Sequence, residues 1–395
     1  MRKLKYTIAS IILIGLQTTV FGQKVNIKRA FKHAAAQTKV MLQEIPKAAN
    51  AAAPELVSPR TLENGALKLV ASKDWTSGFF PGVLWYLDEY YHQEEWKAAA
   101  QKFTAYIEQE KNNGGTHDMG FKVYCSVGNG YRLTHDPHYK AVIIESAKTL
   151  ATRFNPKTGV ILSWDHSRNK WVNPVIIDNM MNLELLFEAT RLTGDSIYYQ
   201  IAVSHANTTM KNHFREDFSS YHVVDYDPQT GAVLKKTTHQ GYSNSSAWAR
   251  GQAWALYGYT MCYRYTKNPV YLKQAEQVAG FIFNHPNMPK DLVPYWDFNA
   301  PQIPNEPRDA SAAAVIASGL YELSQYSDQH TDYLKKANQI LKSLSTAYIA
   351  PEGSAKGFIL LQSTGSKPSG SEVDVPLIYA DYYYLEALLR SKAMK

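Results

Sequence analysis

Asp178 is the residue in this 395-residue chain that least resembles ordinary packing. Val175-Ile176-Ile177 precede it and Met180-Met181 follow it, so it is set for deep burial. A buried carboxylate is costly unless it is paired or functional. Arg250 poses the same question with the opposite sign. Flanked by Trp248, Ala249, Gly251 and Trp254, it must find an anion, either a structural Asp or a bound one. Asp118, Asp309 and Asp374, and less readily Asp178, also read as helix N-caps, the commonest job of Asp at such places. Trp75, Trp248 and Trp254 read as core when taken singly, although 27 Tyr, 8 Trp and 14 Phe also suit a sugar-binding cleft. His222 and His239 lack metal-ligand spacing. The loop 237–246 (Thr-Thr-His-Gln-Gly-Tyr-Ser-Asn-Ser-Ser) suits either a solvated connection or a binding wall.

The elements that must position these residues follow from the apolar pattern. Six stretches, at about 76–91, 118–134, 178–193, 248–266, 308–326 and 374–391, are apolar or small nearly all round. A helix without a polar stripe is a buried helix, and Ala and Gly faces let neighbours approach closely. Amphipathic segments alternate with them, beginning near Arg29, Glu94, His138, Ser196, Val270 and Asp332. Leu272, Ala275, Val278 and Ile282, then Leu334, Ala337, Leu341 and Leu344, recur at helical spacing. The joints Asp136-Pro137, Thr193-Gly194-Asp195, Asn268-Pro269 and Ser327-Asp328 carry cap and turn chemistry.

Six wet helices alternating with six dry ones predict an all-α (α/α)6 barrel, an inner ring inside an outer ring. An open solenoid would need polar capping repeats at its ends, and the last segment reads instead as an ordinary inner helix. Alternate helices of a closed array start at the same end. Asp74-Trp75, Thr116-His117-Asp118, Asp178, Trp248-Ala249-Arg250 and Arg308-Asp309 are therefore expected around one mouth, where helix N-termini favour negative charge.

Composition narrows the remaining classes. At 45% hydrophobic and 19% charged, the chain is not disordered. Arg2, Lys3 and Lys5 before an apolar run from Thr7 to Leu16 read as a secretory signal peptide over residues 1–22, with a periplasmic or secreted product. No later stretch reads as a membrane span, and no Cys follows the run to carry a lipid anchor. Without those residues the charge is +4 (39 Lys and Arg against 35 Asp and Glu), too little and too dispersed for nucleic acid. Cys125 and Cys262 are expected as small buried hydrophobes, so neither a disulfide scaffold nor a Cys-based zinc site is implied. HExxH, GxSxG, P-loop and GxGxxG motifs are all absent. One catalytic domain is expected over 23–395; the oligomeric state is not encoded in any of these features.

Several blocks, in order, give a more specific signal. Asp74-Trp75-Thr76-Ser77-Gly78-Phe79-Phe80-Pro81-Gly82, His117-Asp118-Met119-Gly120-Phe121, Asp178-Asn179-Met180-Met181-Asn182-Leu183, His239-Gln240-Gly241-Tyr242, Trp248-Ala249-Arg250-Gly251-Gln252-Ala253-Trp254, Pro294-Tyr295-Trp296-Asp297-Phe298 and Arg308-Asp309-Ala310-Ser311 occur across 67–388. This set resembles the unsaturated glucuronyl hydrolases, glycoside hydrolase family 88. The resemblance implies the same barrel and the removal of a 4,5-unsaturated uronic acid from lyase-generated oligosaccharides, with neither metal nor organic cofactor. It assigns the acid/base to Asp178 and the second catalytic carboxylate to Asp118. It places Trp75, His117, His222, Thr238, His239, Gln240, Trp248, Arg250 and Trp254 along the substrate subsite.

Relatives that accept sulfate carry Ser and Lys in a loop matching 363–371, so Lys367 joins the expected set as an anion ligand, against an equally weighted reading as a solvated loop. Four other readings use the same residues: an unsaturated rhamnogalacturonyl hydrolase, an inverting glycosidase with two spaced carboxylates, a polysaccharide lyase using His239, Tyr242 and Arg250, and a non-catalytic glycan binder. The Trp248/Arg250/Trp254 cluster and the Pro294–Phe298 block favour the glucuronyl branch over the first.

Overall fold

The computed structural model describes residues 24–394; the expected signal peptide lies outside them. The helices alternate around a closed double ring. In chain order they are α1 (Ile27–Ala48), α2 (Phe79–Tyr91), α3 (Glu94–Ile107), α4 (Asn129–Thr134), α5 (Pro137–Ala151), α6 (Leu183–Thr193), α7 (Ser196–Asn212), α8 (Ala249–Thr266), α9 (Pro269–Asn284), α10 (Ala310–Leu323), α11 (His330–Thr346) and α12 (Ile378–Ala393). The odd-numbered helices form the outer ring and the even-numbered ones the inner. Each inner element packs on the next, and α12 closes the ring against α2.

Burial follows the apolar pattern. Every residue of α10 is buried, as is every residue of α8 from Ala249 to Cys262. The outer helices bury one stripe only; α11 keeps Tyr333, Ala337, Ile340, Leu341 and Leu344 inside. Asp136, Asp195 and Asn268 cap the helices that follow them, accepting from His138, Ile197 and Val270 N–H at 2.8, 2.9 and 3.1 Å. Asp309 caps α10, accepting from Ser311 and Ala312 N–H. Cys125 and Cys262 are buried free thiols.

Three cap expectations do not hold. Asp118 precedes a helix start without capping it, Asp178 lies inside a short 3-10 helix, and Asp374 sits exposed in a strand. Two inner segments are also not α-helical at their mouth ends. Gly120–Gly128 is a π-helix leading into α4, and Ile177–Asn182 is a 3-10 turn leading into α6. Close crossing accounts for the glycine here, since a Cβ on Gly120 would lie 2.6 Å from Asn182 Cα.

Short hairpins decorate the barrel: β1 (Leu56–Glu63) with β2 (Ala66–Ala71), β3 (Phe154–Asn155) with β4 (Val160–Ile161), and a three-stranded sheet of β5 (Pro174–Ile176), β6 (Val223–Tyr226) and β7 (Val233–Thr237). Near the C-terminus β8 (Ser363–Ser366) pairs antiparallel with β9 (Ser371–Val375). These strands lie outside the helical repeat and build the rim of the mouth.

Candidate active site

The inner-helix starts converge. A cavity of about 290 Å³ at this end is lined by Trp75 ahead of α2, His117, Asp118 and Phe121 at the π-helix, Asp178 in the 3-10 turn, Arg250 in α8 and Tyr379 in α12. His239 and Gln240 close one side, and Gly365, Ser366, Ser369, Ser371 and Glu372 of the β8–β9 hairpin close another. Trp75 is half-buried, its ring centroid 4.9 Å from that of Tyr379 and 5.4 Å from that of Phe121.

The two carboxylates occupy different surroundings. Asp178 is buried among the apolar residues expected of it, and that burial pushes its carboxyl up to about 7. The nearby Asp118 carboxylate acts in the same direction, while Arg250 and the Trp254 indole N–H oppose it. Asp118 is more open and accepts from the Thr116 hydroxyl at 3.0 Å. His117 donates through Nδ1 to the Ser163 carbonyl at 2.8 Å, which leaves its Nε2 lone pair facing Asp118 Oδ1 at 3.3 Å.

Arg250 has found its anion in the protein. Its Nη1 donates to Asp309 Oδ2 at 2.7 Å and to the Thr364 carbonyl at 2.5 Å, and its Nη2 to the Gly365 carbonyl at 2.6 Å. Both charges are fully buried. Arg250 thus forms part of the cavity wall while tying α8 to α10 and to the β8–β9 hairpin.

Five expected residues lie off the cavity wall. His222, Trp248 and Trp254 are buried behind it; the His222 and Trp248 ring centroids lie 4.5 Å apart, with the ring planes tilted by 36°. Thr238 folds back on its own loop, its hydroxyl accepting from Gly241 N–H at 2.8 Å. Lys367 turns away from the cavity onto Glu306, which also accepts from the Trp296 indole at 2.8 Å. The hairpin lies at the mouth as anticipated, with serines rather than Lys367 facing the cavity.

The cavity also includes Arg60, Trp164, His166 and Glu372, which sequence reasoning missed. Arg60 grips Glu372 with two bonds, at 2.5 and 2.9 Å, and Asp74 with a third at 2.7 Å, joining the β1–β2 hairpin to the β8–β9 hairpin. No local pattern marks an arginine whose partner is 312 residues away. Trp164-Asp165-His166, an aromatic and charged cluster in a polar stretch, was a usable signal. The β6–β7 hairpin was another, with Val-Val-Asp-Tyr and Val-Leu flanking an Asp-Pro-Gln-Thr-Gly turn.

Comparison with known proteins gives the family. The Glycosyl Hydrolase Family 88 model matches residues 51–391. The chain is 56% identical to an unsaturated glucuronyl hydrolase of Formosa agariphila, over 82% of this chain and 81% of that one. It is 35% identical to an unsaturated chondroitin disaccharide hydrolase of Streptococcus pneumoniae, over 84% and 85% respectively. Among solved structures, an unsaturated glucuronyl hydrolase specific for heparin superposes with a TM-score of 0.88 at 46% identity, covering 93% of this chain and 97% of that one.

Proposed function

The chain belongs to glycosyl hydrolase family 88, and on that premise we propose that it removes 4,5-unsaturated uronic acid from the non-reducing end of glycosaminoglycan-type lyase products. The observation that carries this reading is Asp178, a carboxyl that burial pushes up to about 7 on the wall of a solvent-reachable cavity. Such a group is protonated near neutral pH yet able to take a proton back.

The substrate is a vinyl ether, with its double bond attached to the ring oxygen. Asp178 delivers a proton to C4, and the π electrons form the new C4–H bond. The positive charge is then shared between C5 and the ring oxygen. Water attacks C5 and returns a proton to the Asp178 carboxylate. The resulting hemiketal opens, and the former glycosidic linkage collapses to an aldehyde and a free alcohol. Cleavage therefore follows hydration, without displacement at the anomeric carbon. Asp118 lies where a negative charge steadies the developing cation. Trp75 offers a half-buried ring face for the sugar. Arg250, held by Asp309, gives rigidity to the wall. The N-terminal stretch is read as an export signal, which puts this activity in the periplasm or outside the cell; fractionation of the native host tests that placement.

The conjugated uronate absorbs in the ultraviolet, so one assay separates the rivals. Incubation with unsaturated disaccharides makes absorbance fall. A rise on intact polymer identifies a lyase, and new reducing ends from saturated sugar without an absorbance change identify an ordinary glycosidase. Asp178→Asn keeps the shape but cannot cycle a proton, so turnover drops about 10²–10⁴-fold. Near-normal turnover in a folded Asp178→Asn protein removes Asp178 from the mechanism.

A further inference from the structure

His222 was expected to touch substrate, yet its side chain is fully buried on the far side of Asp178. Its hydrogen bonds fix its tautomer. Nδ1 accepts from two successive backbone amides, those of His239 and Gln240, each at 3.1 Å. A nitrogen that accepts carries no proton, so the proton of the neutral ring is on Nε2. Burial holds the ring well below its ordinary pKa, with His239, Arg250 and His213 adding to that effect, so the ring is neutral.

His222 Nε2 lies 3.7 Å from Asp178 Oδ2. Neither atom has a hydrogen-bond partner, and the buried Trp254 indole N–H, which also acts on Asp178, is unpartnered as well. Two buried polar atoms left unsatisfied are expensive, and these two face one another across a gap about 0.8 Å longer than an ordinary hydrogen bond. Protonated Asp178 has little call on a second donor. Ionised Asp178 needs one, and a modest shift of the carboxylate brings it into range.

We propose that His222 is a positioning residue for Asp178, a fixed neutral donor that receives the carboxylate each time Asp178 gives up its proton. This rests on the hydration chemistry above. The groups facing the pair are few: Asp118 at the π-helix, Arg250 and Trp254 from α8, His239 from the loop after β7, and His213 at the end of α7. Arg250 is already neutralised by Asp309, and His213 and His239 are, like His222, pushed towards the neutral form by burial. The uncharged His222 N–H therefore supports the carboxylate without placing a second full positive charge beside the cation forming on the sugar. His117 has the opposite arrangement, donating through Nδ1 and turning a lone pair to Asp118, so the same measurement on the two rings returns opposite answers.

Two measurements test this, one of which needs no activity. In histidine-labelled enzyme, two-bond proton–nitrogen NMR separates the tautomers; the resonance lost in His222→Gln is expected to be neutral with its proton on Nε2, and that lost in His117→Gln to have it on Nδ1. A charged His222, or one protonated at Nδ1, overturns the proposal. In aspartate-labelled enzyme, the titration lost in Asp178→Asn marks the catalytic carboxyl. His222→Phe raises its midpoint by about one to two pH units and lowers kcat roughly 10- to 100-fold with KM little changed, the scale of one hydrogen bond to a charged group. His222→Gln, which keeps a donor, recovers part of both. An unchanged midpoint refutes the role of His222. Failure of the wild-type enzyme to consume the double bond refutes the hydration reading instead, and leaves both spectroscopic results standing.

Discussion

Removing Asp309 isolates the contribution of the buried ion pair. In Asp309→Ala, Arg250 loses the carboxylate at 2.7 Å and keeps only the Thr364 and Gly365 carbonyls, in a place where neither side chain meets water. Breaking a buried pair by removing one partner costs about 3–5 kcal/mol. The same change removes the α10 cap, which accepts from Ser311 and Ala312 N–H, and such a cap is worth about 0.5–2 kcal/mol. The sum, about 4–7 kcal/mol, is comparable with the whole stability of an ordinary domain, about 5–15 kcal/mol. Asp309→Ala is therefore expected to unfold at a much lower urea concentration and to be scarce in the soluble fraction. Asp309→Asn keeps a capping oxygen and loses less. The decisive comparison is the double variant Arg250→Met with Asp309→Leu, which removes both charges; it is expected to be more stable than Asp309→Ala, because no unpaired charge remains. A shift of under about 1 kcal/mol for Asp309→Ala, the range of an exposed pair, would show that Arg250 does not depend on Asp309. In that event the Thr364 and Gly365 carbonyls alone would hold its fork.

The pH dependence follows from Asp178. With its folded-state carboxyl pushed up to about 7, kcat/KM for an unsaturated disaccharide is expected to fall as pH rises through that value; a profile flat from pH 6 to 9 would contradict the assignment. The same shift makes the folded state bind more protons than the unfolded one between about pH 4 and 7, so this group's contribution to stability declines as pH rises through that window. Lys367 gives a test of substrate selection. Because it is held by Glu306, Lys367→Ala is expected to leave KM for sulfated and unsulfated disaccharides alike, whereas a rise confined to the sulfated substrate would show that the lysine leaves Glu306 to meet sulfate.

The helical repeat was legible because burial on all sides writes itself into every residue of an inner helix. The starts at Phe79, Ala249 and Ala310 could be placed to within three residues from Ala, Gly and aromatic content, and Asp and Asn caps at named joints marked three of the six outer helices. Less could be read where backbone geometry answers to a neighbour. The π-helix after Asp118 and the 3-10 turn around Asp178 exist where Gly120 meets Asn182, a contact between residues 62 positions apart that no local pattern contains. The rim hairpins were missed for the same reason. Arg60 and Glu372 meet across 312 residues, and Gln240 reaches the Gly365 carbonyl across 125. Residue type told that Arg250 needed an anion; only the fold could tell which.

The same limit shows how one barrel end becomes chemically directional. Helix starts gather polar groups at the mouth of any such ring, so position alone would make Asp118 and Asp178 equivalent. Their surroundings separate them. Asp178 is wrapped by apolar side chains, with a neutral N–H waiting beyond it. Asp118 accepts a threonine hydroxyl and faces a histidine lone pair, with part of its surface open. Two identical carboxyls in such different surroundings can divide the work of proton delivery and charge stabilisation. The division is set by the three-stranded sheet and the loop 237–246 as much as by the barrel. Those segments place His222 behind Asp178 and fix its tautomer through the His239 and Gln240 amides. Burial inside the ring keeps the proton on Asp178, and the irregular rim supplies the donor that meets its carboxylate once that proton is given up.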